Sequence, residues 1–235
     1  MSHDHAYAMG LILSIETSTK VCSVALQKDA NLLGLKELYI DKSHSELLAP
    51  LMRDLVKECG FSMNDLNAVA VAKGPGSYTG LRIGVSAAKG LCYALEIPLI
   101  GVNTLKAMAA GIKKFNFDNY LLCPMLDARR MEAYCLLMDN QGVEIRETQA
   151  VILDEHSFSE ELSNNGIIFF GPGADKASGF FNRPGAFHIK NVYPSATGVA
   201  QLAYEKFKSK DFEDVAYFEP FYLKEFITRK PKSKL

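Results

Sequence analysis

The chain is 235 residues long, with 26 basic against 27 acidic side chains, 48% hydrophobic residues and no tryptophan. This suits one large or two smaller folded domains and excludes a disordered or repetitive chain. A formal charge of −1 argues against a dedicated non-specific nucleic-acid binder, which needs a basic excess. No uncharged apolar run reaches the roughly 18 to 20 residues that span a bilayer; the best, Leu91 to Val102, is broken by Glu96 and Pro98.

Met1 to Gly10 carries His3, Asp4 and His5 but no basic residue and no apolar core. It reads as an arm or an expression remnant, not a secretory signal. Apolar strands follow at Leu11 to Glu16, Val21 to Gln27 and Leu32 to Ile40, separated by polar turns. Then come a helix from about Ser45 to Cys59 with Ser45 as its N-cap, a strand Ala68 to Ala72, a helix from about Thr79 to Leu95, and a strand Leu99 to Val102. The order then restarts: strands Tyr120 to Leu126, Glu132 to Met138 and Val143 to Val151, a helix near Phe158 to Ser163, a strand Ile167 to Phe170, a helix near Ala174 to Phe181, a strand Phe187 to Ile189, and a helix from about Ala196 to Ser209.

A three-strand meander followed by alternating helices and strands implies a mixed sheet under covering helices. Two such units in tandem predict an α/β protein of two ribonuclease-H-like lobes with a cleft between them. The lobes are placed at 11–110 and 111–221, with the last helix free to return to the first lobe and a basic tail at 222–235. Five cysteines sit singly, without zinc spacing or a C-x-x-C pair, as reduced thiols of a cytosolic protein do.

The sharpest local feature is the glycine-rich run Lys73 to Gly84, between a strand and a helix. Such a turn presents backbone N–H groups at the positive end of a helix, an anion-binding geometry. Its spacing is neither that of a P-loop nor that of a dinucleotide fingerprint. Gly74, Gly76, Ser77 and Thr79 are the candidate anion or nucleotide residues, with a tight structural turn as the competing reading. A nuclease would need carboxylates at the end of the fourth strand, where Lys73-Gly74 and Gly171-Pro172-Gly173 stand instead. A serine nucleophile elbow would need glycine at Thr79.

On the helix after this run, Leu81, Val85, Ala88, Cys92 and Leu95 form an a/d-type stripe. Gly80, Gly84 and Ala88 share one ridge, and interior Gly84 and Gly90 each cost about 1 kcal/mol relative to alanine. Close approach of another backbone offsets such a cost: the chain's own sheet, or a partner helix. The earlier helix has a broad apolar arc containing Leu47, Leu48, Leu51, Met52 and Leu55.

The runs Ile12 to Thr19, His44-Ser45-Glu46 with Leu48 and Pro50, Gly74 to Gly84, Asp127 to Tyr134 and Pro220 to Lys224 together resemble the bacterial TsaB (YeaZ) family. The resemblance spans nearly the whole chain after Leu11. It implies the actin, sugar-kinase and Hsp70 fold, and a non-catalytic subunit in the formation of N6-threonylcarbamoyladenosine at position 37 of tRNAs. The implied partners are the catalytic subunit TsaD, the ATPase TsaE, and a second copy of the chain when TsaD is absent. tRNA would be held mainly by the partner, with no membrane, no cofactor and no metal. The family-motif positions are Glu16, His44, Glu46, Arg82, Asp127, Arg129, Glu132, Tyr134 and Tyr222. The family's pairing helices place the expected contacts at Leu48, Leu51, Met52, Leu55, Leu81, Val85, Ala88 and Cys92. Two departures are Glu16, where aspartate is commoner, and Tyr78, where phenylalanine is usual. Thr104 and Met108 align with the histidine pair that holds metal in TsaD. The enzymatic alternative is a stand-alone ATP-dependent transferase or glycoprotease-like peptidase. The tail from Tyr222 holds five basic residues against one acidic, which leaves −5 on the rest, an unfavourable main surface for RNA.

Overall fold

The computed structural model describes residues 10–40 and 44–223. The first meander is β1 (Leu11–Glu16), β2 (Val21–Lys28) and β3 (Asn31–Tyr39), followed by α1 (His44–Glu58), β4 (Ala68–Gly74), α2 (Tyr78–Leu95), β5 (Leu99–Asn103) and α3 (Thr104–Lys113). The second is β6 (Leu121–Asp127), β7 (Glu132–Met138) and β8 (Glu144–Ile152), followed by α4 (Ser159–Asn164), β9 (Ile167–Phe170), α5 (Pro172–Lys176), β10 (Ala186–Ile189) and α6 (Ala196–Lys208). The sheets run β3-β2-β1-β4-β5 and β8-β7-β6-β9-β10. In each, the meander is antiparallel and the last two strands add in parallel. The duplicated α/β order is therefore a duplicated topology.

Alternation along β1 sets the layers, because successive side chains leave opposite faces of a strand. Leu11, Leu13 and Ile15 pack with Leu48, Leu55, Val85 and Ala88 beneath α1 and α2. Ile12 points the other way, among Ala68, Ala70, Val199, Ala203 and Phe207 under α6. In the second lobe, Phe169 stacks on Phe181 at 4.1 Å between rings on the face covered by α4 and α5. Leu122, Leu136 and Phe170 face Leu105 and Met108 of α3.

Two elements differ from expectation. α3 was not foreseen as a helix, and the boundary expected at 110/111 falls inside it. Asn103 caps it, its Oδ1 accepting from Leu105 N at 2.9 Å and Lys106 N at 3.1 Å, which satisfies two of the N–H groups a helix start leaves free. The helix expected at Ala174 to Phe181 divides into α5 and a short 3-10 turn, Ser178–Phe181. Pro172 starts the first piece at its first turn, and Ser178-Gly179 are poor helix formers.

α3 comes before the second meander yet covers the second sheet, and α6 closes the chain yet covers the first. The two helices meet where a side chain on Gly198 would lie 2.2 Å from Ala107 O. The lobes are thus joined by exchanged helices in backbone contact. All five cysteines are unpaired, and no helix among the described residues is long and apolar enough to cross a membrane. The arm at 1–9 and the tail's basic residues from Lys224 onward lie outside the described residues.

Candidate functional site

The ends of β1, β4 and β6 open on a cleft of about 1250 Å³ between the lobes. The first lobe contributes the β1–β2 turn, the start of α1 and the glycine turn; the second contributes the β6–β7 turn and Pro172, and Phe221 to Leu223 close one side.

The glycine turn packs tightly. A Cβ at Gly80 would lie 2.1 Å from Thr17 O, and one at Gly84 2.3 Å from Thr17 Oγ1. The β1–β2 turn therefore crosses directly over the start of α2, and Thr17 Oγ1 donates to Gly80 O at 2.8 Å. This explains the small residues at 80 and 84 from within the chain. Ser77 is the N-cap, its Oγ accepting from Gly80 N at 3.3 Å. Ser77 N donates to Ser18 O at 2.7 Å and Leu81 N to Ser77 O at 2.8 Å. Of the four expected anion residues, Ser77 thus has its N–H engaged within the chain, and the N–H groups of Gly80 and Leu81 that follow are engaged as well. Gly74 is covered as well: Phe221 N donates to Lys73 O at 2.6 Å, and Phe221 O lies 2.6 Å from where a Gly74 Cβ would be. Gly76 is held at φ +159° against Ser18, and Thr79 is exposed.

Glu16, at the end of β1, is fully buried, with Oε1 accepting from Ser18 N at 2.6 Å. Burial pushes its carboxyl up to about 7, only partly offset by hydrogen bonding from Ser18. His44 Nε2 donates to Thr19 O at 2.8 Å, pinning the start of α1 to the β1–β2 turn. Because α1 already includes His44, Ser45 is an interior residue of the first turn and not its N-cap. Glu46 is exposed in that turn, where a carboxylate suits the helix dipole.

Across the cleft, Asp127 Oδ1 takes Lys176 Nζ at 2.5 Å and Arg129 N at 2.8 Å. Arg129 and Arg130 both adopt left-handed backbone, φ +72° and +46°, which costs a non-glycine residue about 1 to 2 kcal/mol. Glu132 N donates back to Arg129 O at 3.2 Å, and Tyr134 lines the wall. Tyr222 packs on Tyr78 at 5.0 Å between rings, and Arg82 Nη1 donates to the Tyr78 hydroxyl at 3.0 Å. Sequence reasoning missed Lys20, whose Nζ lies 5.0 Å over the Tyr193 ring in the cleft, and Arg130; the Arg129-Arg130 doublet was the available signal.

The expected partner contacts require correction. Leu48, Met52, Leu55, Val85, Ala88 and Cys92 belong to the chain's own core, Leu81 is also buried, and Leu51 is half-buried at its edge. The 4-3-4 stripe is the strongest apolar row on α2, and the nearest apolar surface, its own sheet, takes it. The row beside it, Ile83, Ala87 and Leu91, is half-buried together with Leu51 of α1. Gly90 lies on this outer face, and a Cβ there would meet nothing within 4 Å among the described residues.

Among the described residues no three His, Cys, Asp or Glu side chains form a metal-holding group. Thr104 and Met108 lie one turn apart on α3, both buried. A hydroxyl and a thioether do not fit a hard-metal or iron site.

A family model described as "TsaD: tRNA N6-adenosine threonylcarbamoyltransferase" matches residues 38–227. The chain is 34% identical over 229 residues to the tRNA threonylcarbamoyladenosine biosynthesis protein TsaB of Escherichia coli, covering 93% of this chain and 96% of that protein. It is 36% identical over 121 residues to a tRNA N6-adenosine threonylcarbamoyltransferase of Nitratidesulfovibrio vulgaris, covering 44% of this chain and 34% of that one. Among solved structures, YeaZ from Pseudomonas aeruginosa superposes with a TM-score of 0.78 at 25% identity, over 92% of this chain and 100% of that chain.

Proposed function

This chain belongs to the TsaB family of tRNA threonylcarbamoyladenosine biosynthesis proteins, and on that premise we propose that it is the non-catalytic scaffold subunit of the complex that forms N6-threonylcarbamoyladenosine at position 37 of tRNA. The observation that carries the reading is the 34% identity to a TsaB protein along 93% of the chain. Thr104 and Met108, which the resemblance aligns with the metal-binding histidine pair of TsaD, support a subunit that keeps the scaffold without the chemistry. So does the glycine turn, where Ser77 N bonds within the chain and Phe221 covers Gly74. We read Gly74, Gly76, Ser77 and Thr79 as a vestigial anion or nucleotide loop.

The partner is a TsaD-type subunit, joined by a TsaE-type ATPase and replaced by a second copy of this chain when the catalytic subunit is absent. The docking face is the outer surface of α1 and α2, through Leu51, Ile83, Ala87, Gly90 and Leu91, beside the buried stripe. tRNA is held mainly by the partner. Reconstitution with TsaD, TsaE, the threonylcarbamoyl donor and unmodified tRNA tests the reading. Modification should require this chain, and the chain alone should transfer nothing; transfer by the chain alone, or full transfer without it, would refute the scaffold role.

A further inference from the structure

Far from α1 and α2 in the sequence, the second lobe carries an exposed aromatic groove that the scaffold role leaves unused. It holds about 230 Å³ and is lined by Phe115, Phe117, Tyr120, Phe187 and Ile189, with Asp118 at its side. Phe117 is 85% exposed, Phe115 62% and Phe187 43%. Three phenylalanine faces in one patch of surface mark an interaction site more than scattered exposed apolar residues do.

The groove is built. Asn116 is buried and bonds the loop to itself: Nδ2 donates to Tyr120 O at 2.7 Å, and Oδ1 accepts from Tyr120 N at 3.1 Å. Asn140 Nδ2 ties the loop to the β7–β8 turn through Asn119 Oδ1 at 2.7 Å. With Asn116 turned inward, Phe115 and Phe117 on either side of it are held outward. Tyr120 stacks on Phe187 at 4.6 Å and 13°. Gly166 leaves room for that pair, since a Cβ there would lie 2.4 Å from Tyr120 Cδ1. The Tyr120–Phe187 pair is therefore presented at little further ordering cost to a ligand.

Charge selects the occupant. Lys113 and Lys114 precede the loop and Lys190 follows β10, all exposed and flanking the lining residues in sequence, with Lys113 Nζ donating to Gln141 O at 3.3 Å, against one lining carboxylate, Asp118. Lys114 Nζ lies 4.9 Å over the Phe115 ring, and neither Lys114 nor Lys190 takes an ion pair among the described residues. Aromatic faces beside lysines that take no ion pair match single-stranded nucleic acid, whose bases stack on the rings while phosphates meet the cations. An apolar protein segment would leave those lysines without partners.

We infer that this groove is an accessory docking site for single-stranded RNA, taking one or two unpaired bases of the substrate while the partner subunit holds its bulk. The choice of RNA over DNA rests on the function proposed above; the stacking site rests on the groove itself.

The test uses the full chain and a labelled single-stranded RNA of about ten nucleotides, with a duplex of the same sequence beside it, read by fluorescence anisotropy at low and physiological salt. The parent should bind the single strand in preference to the duplex, and more weakly as salt rises. Phe115→Ala with Phe117→Ala should weaken binding at least about tenfold. Lys114→Glu with Lys190→Glu should weaken it and flatten the salt dependence. Because these side chains are exposed, thermal melting should match the parent. Absence of parent binding at low salt, equal binding of the duplex, or unchanged binding by the double alanine variant would each overturn the inference. Loss of a protein contact in that variant with RNA binding intact would do the same, making the groove a protein site. Binding is read on this chain alone, so a failed reconstitution leaves the outcome here independent.

Discussion

Gly90 marks the outer face of α2 as Ala88 marks the inner. It lies inside an 18-residue helix, is exposed, keeps ordinary backbone, and would place a Cβ in open space. Gly90→Ala should therefore recover the helix-propensity cost of glycine, about 1 kcal/mol, with no steric debit. For a chain of this length that is a rise of roughly 2 to 4 °C in melting temperature, read by circular dichroism. Ala88, two residues away, is completely buried among Val69, Val71 and Val85. Ala88→Arg forces a long cation into packed apolar volume, overfilling it and burying an unpaired charge, at a cost of several kcal/mol. It should unfold or grossly destabilise the chain, so its loss of partner binding would say nothing about the interface. Gly90→Arg should melt at or above the parent's temperature yet fail to co-elute with a TsaD-type subunit in size-exclusion chromatography. A lower melting temperature for Gly90→Ala would refute the open placement of this face. Normal co-elution of Gly90→Arg would refute its assignment as the docking surface.

Three further outcomes follow from the same contacts. Glu16 titrates near 7 in the folded chain against 4.5 as its ordinary value, so between these pH values the folded state keeps a proton that the unfolded state releases. Stability then falls as pH rises through that window, by up to about 3 kcal/mol; Glu16→Gln should remove this loss, and a urea-midpoint difference between variant and parent that stays constant from pH 5 to 8 would contradict it. Gly198→Ala sets a methyl against the Ala107 carbonyl at the α3–α6 crossing and should destabilise the chain by about 2 kcal/mol or more, seen as a lower urea midpoint; a neutral result would mean the helices separate freely. Ser77→Ala removes a long cap bond of 3.3 Å and should cost about 1 kcal/mol or less in stability while tRNA modification by the reconstituted complex stays within about tenfold of the parent; a larger loss would reopen chemistry at the glycine turn.

The inner strands of both meanders were legible because strands buried on two faces read as largely apolar runs between turn residues, as Leu11 to Glu16 does before Thr17-Ser18-Thr19; the exposed edge strands β3 and β8 were placed by the turns that precede them. α3 was legible too and was passed over: Asn103 is a capping residue, and Leu105, Met108, Ala109 and Ile112 keep helical spacing. What the sequence could not disclose was direction. A helical stripe reports that a face is apolar, and leaves open whether the sheet below or a second chain beside it takes that face. Leu81, Val85, Ala88 and Cys92, expected at a partner, are turned inward. The glycines carry the finer discrimination once their neighbours are known. Gly80 and Gly84 meet Thr17 at distances no side chain permits, so the chain itself accounts for them. Gly90 meets nothing among the described residues, yet it carries the same propensity cost. A cost without a contact inside the molecule is best matched to a contact outside it, so the outer row of α2, and not its strongest stripe, is where a partner's backbone should come close.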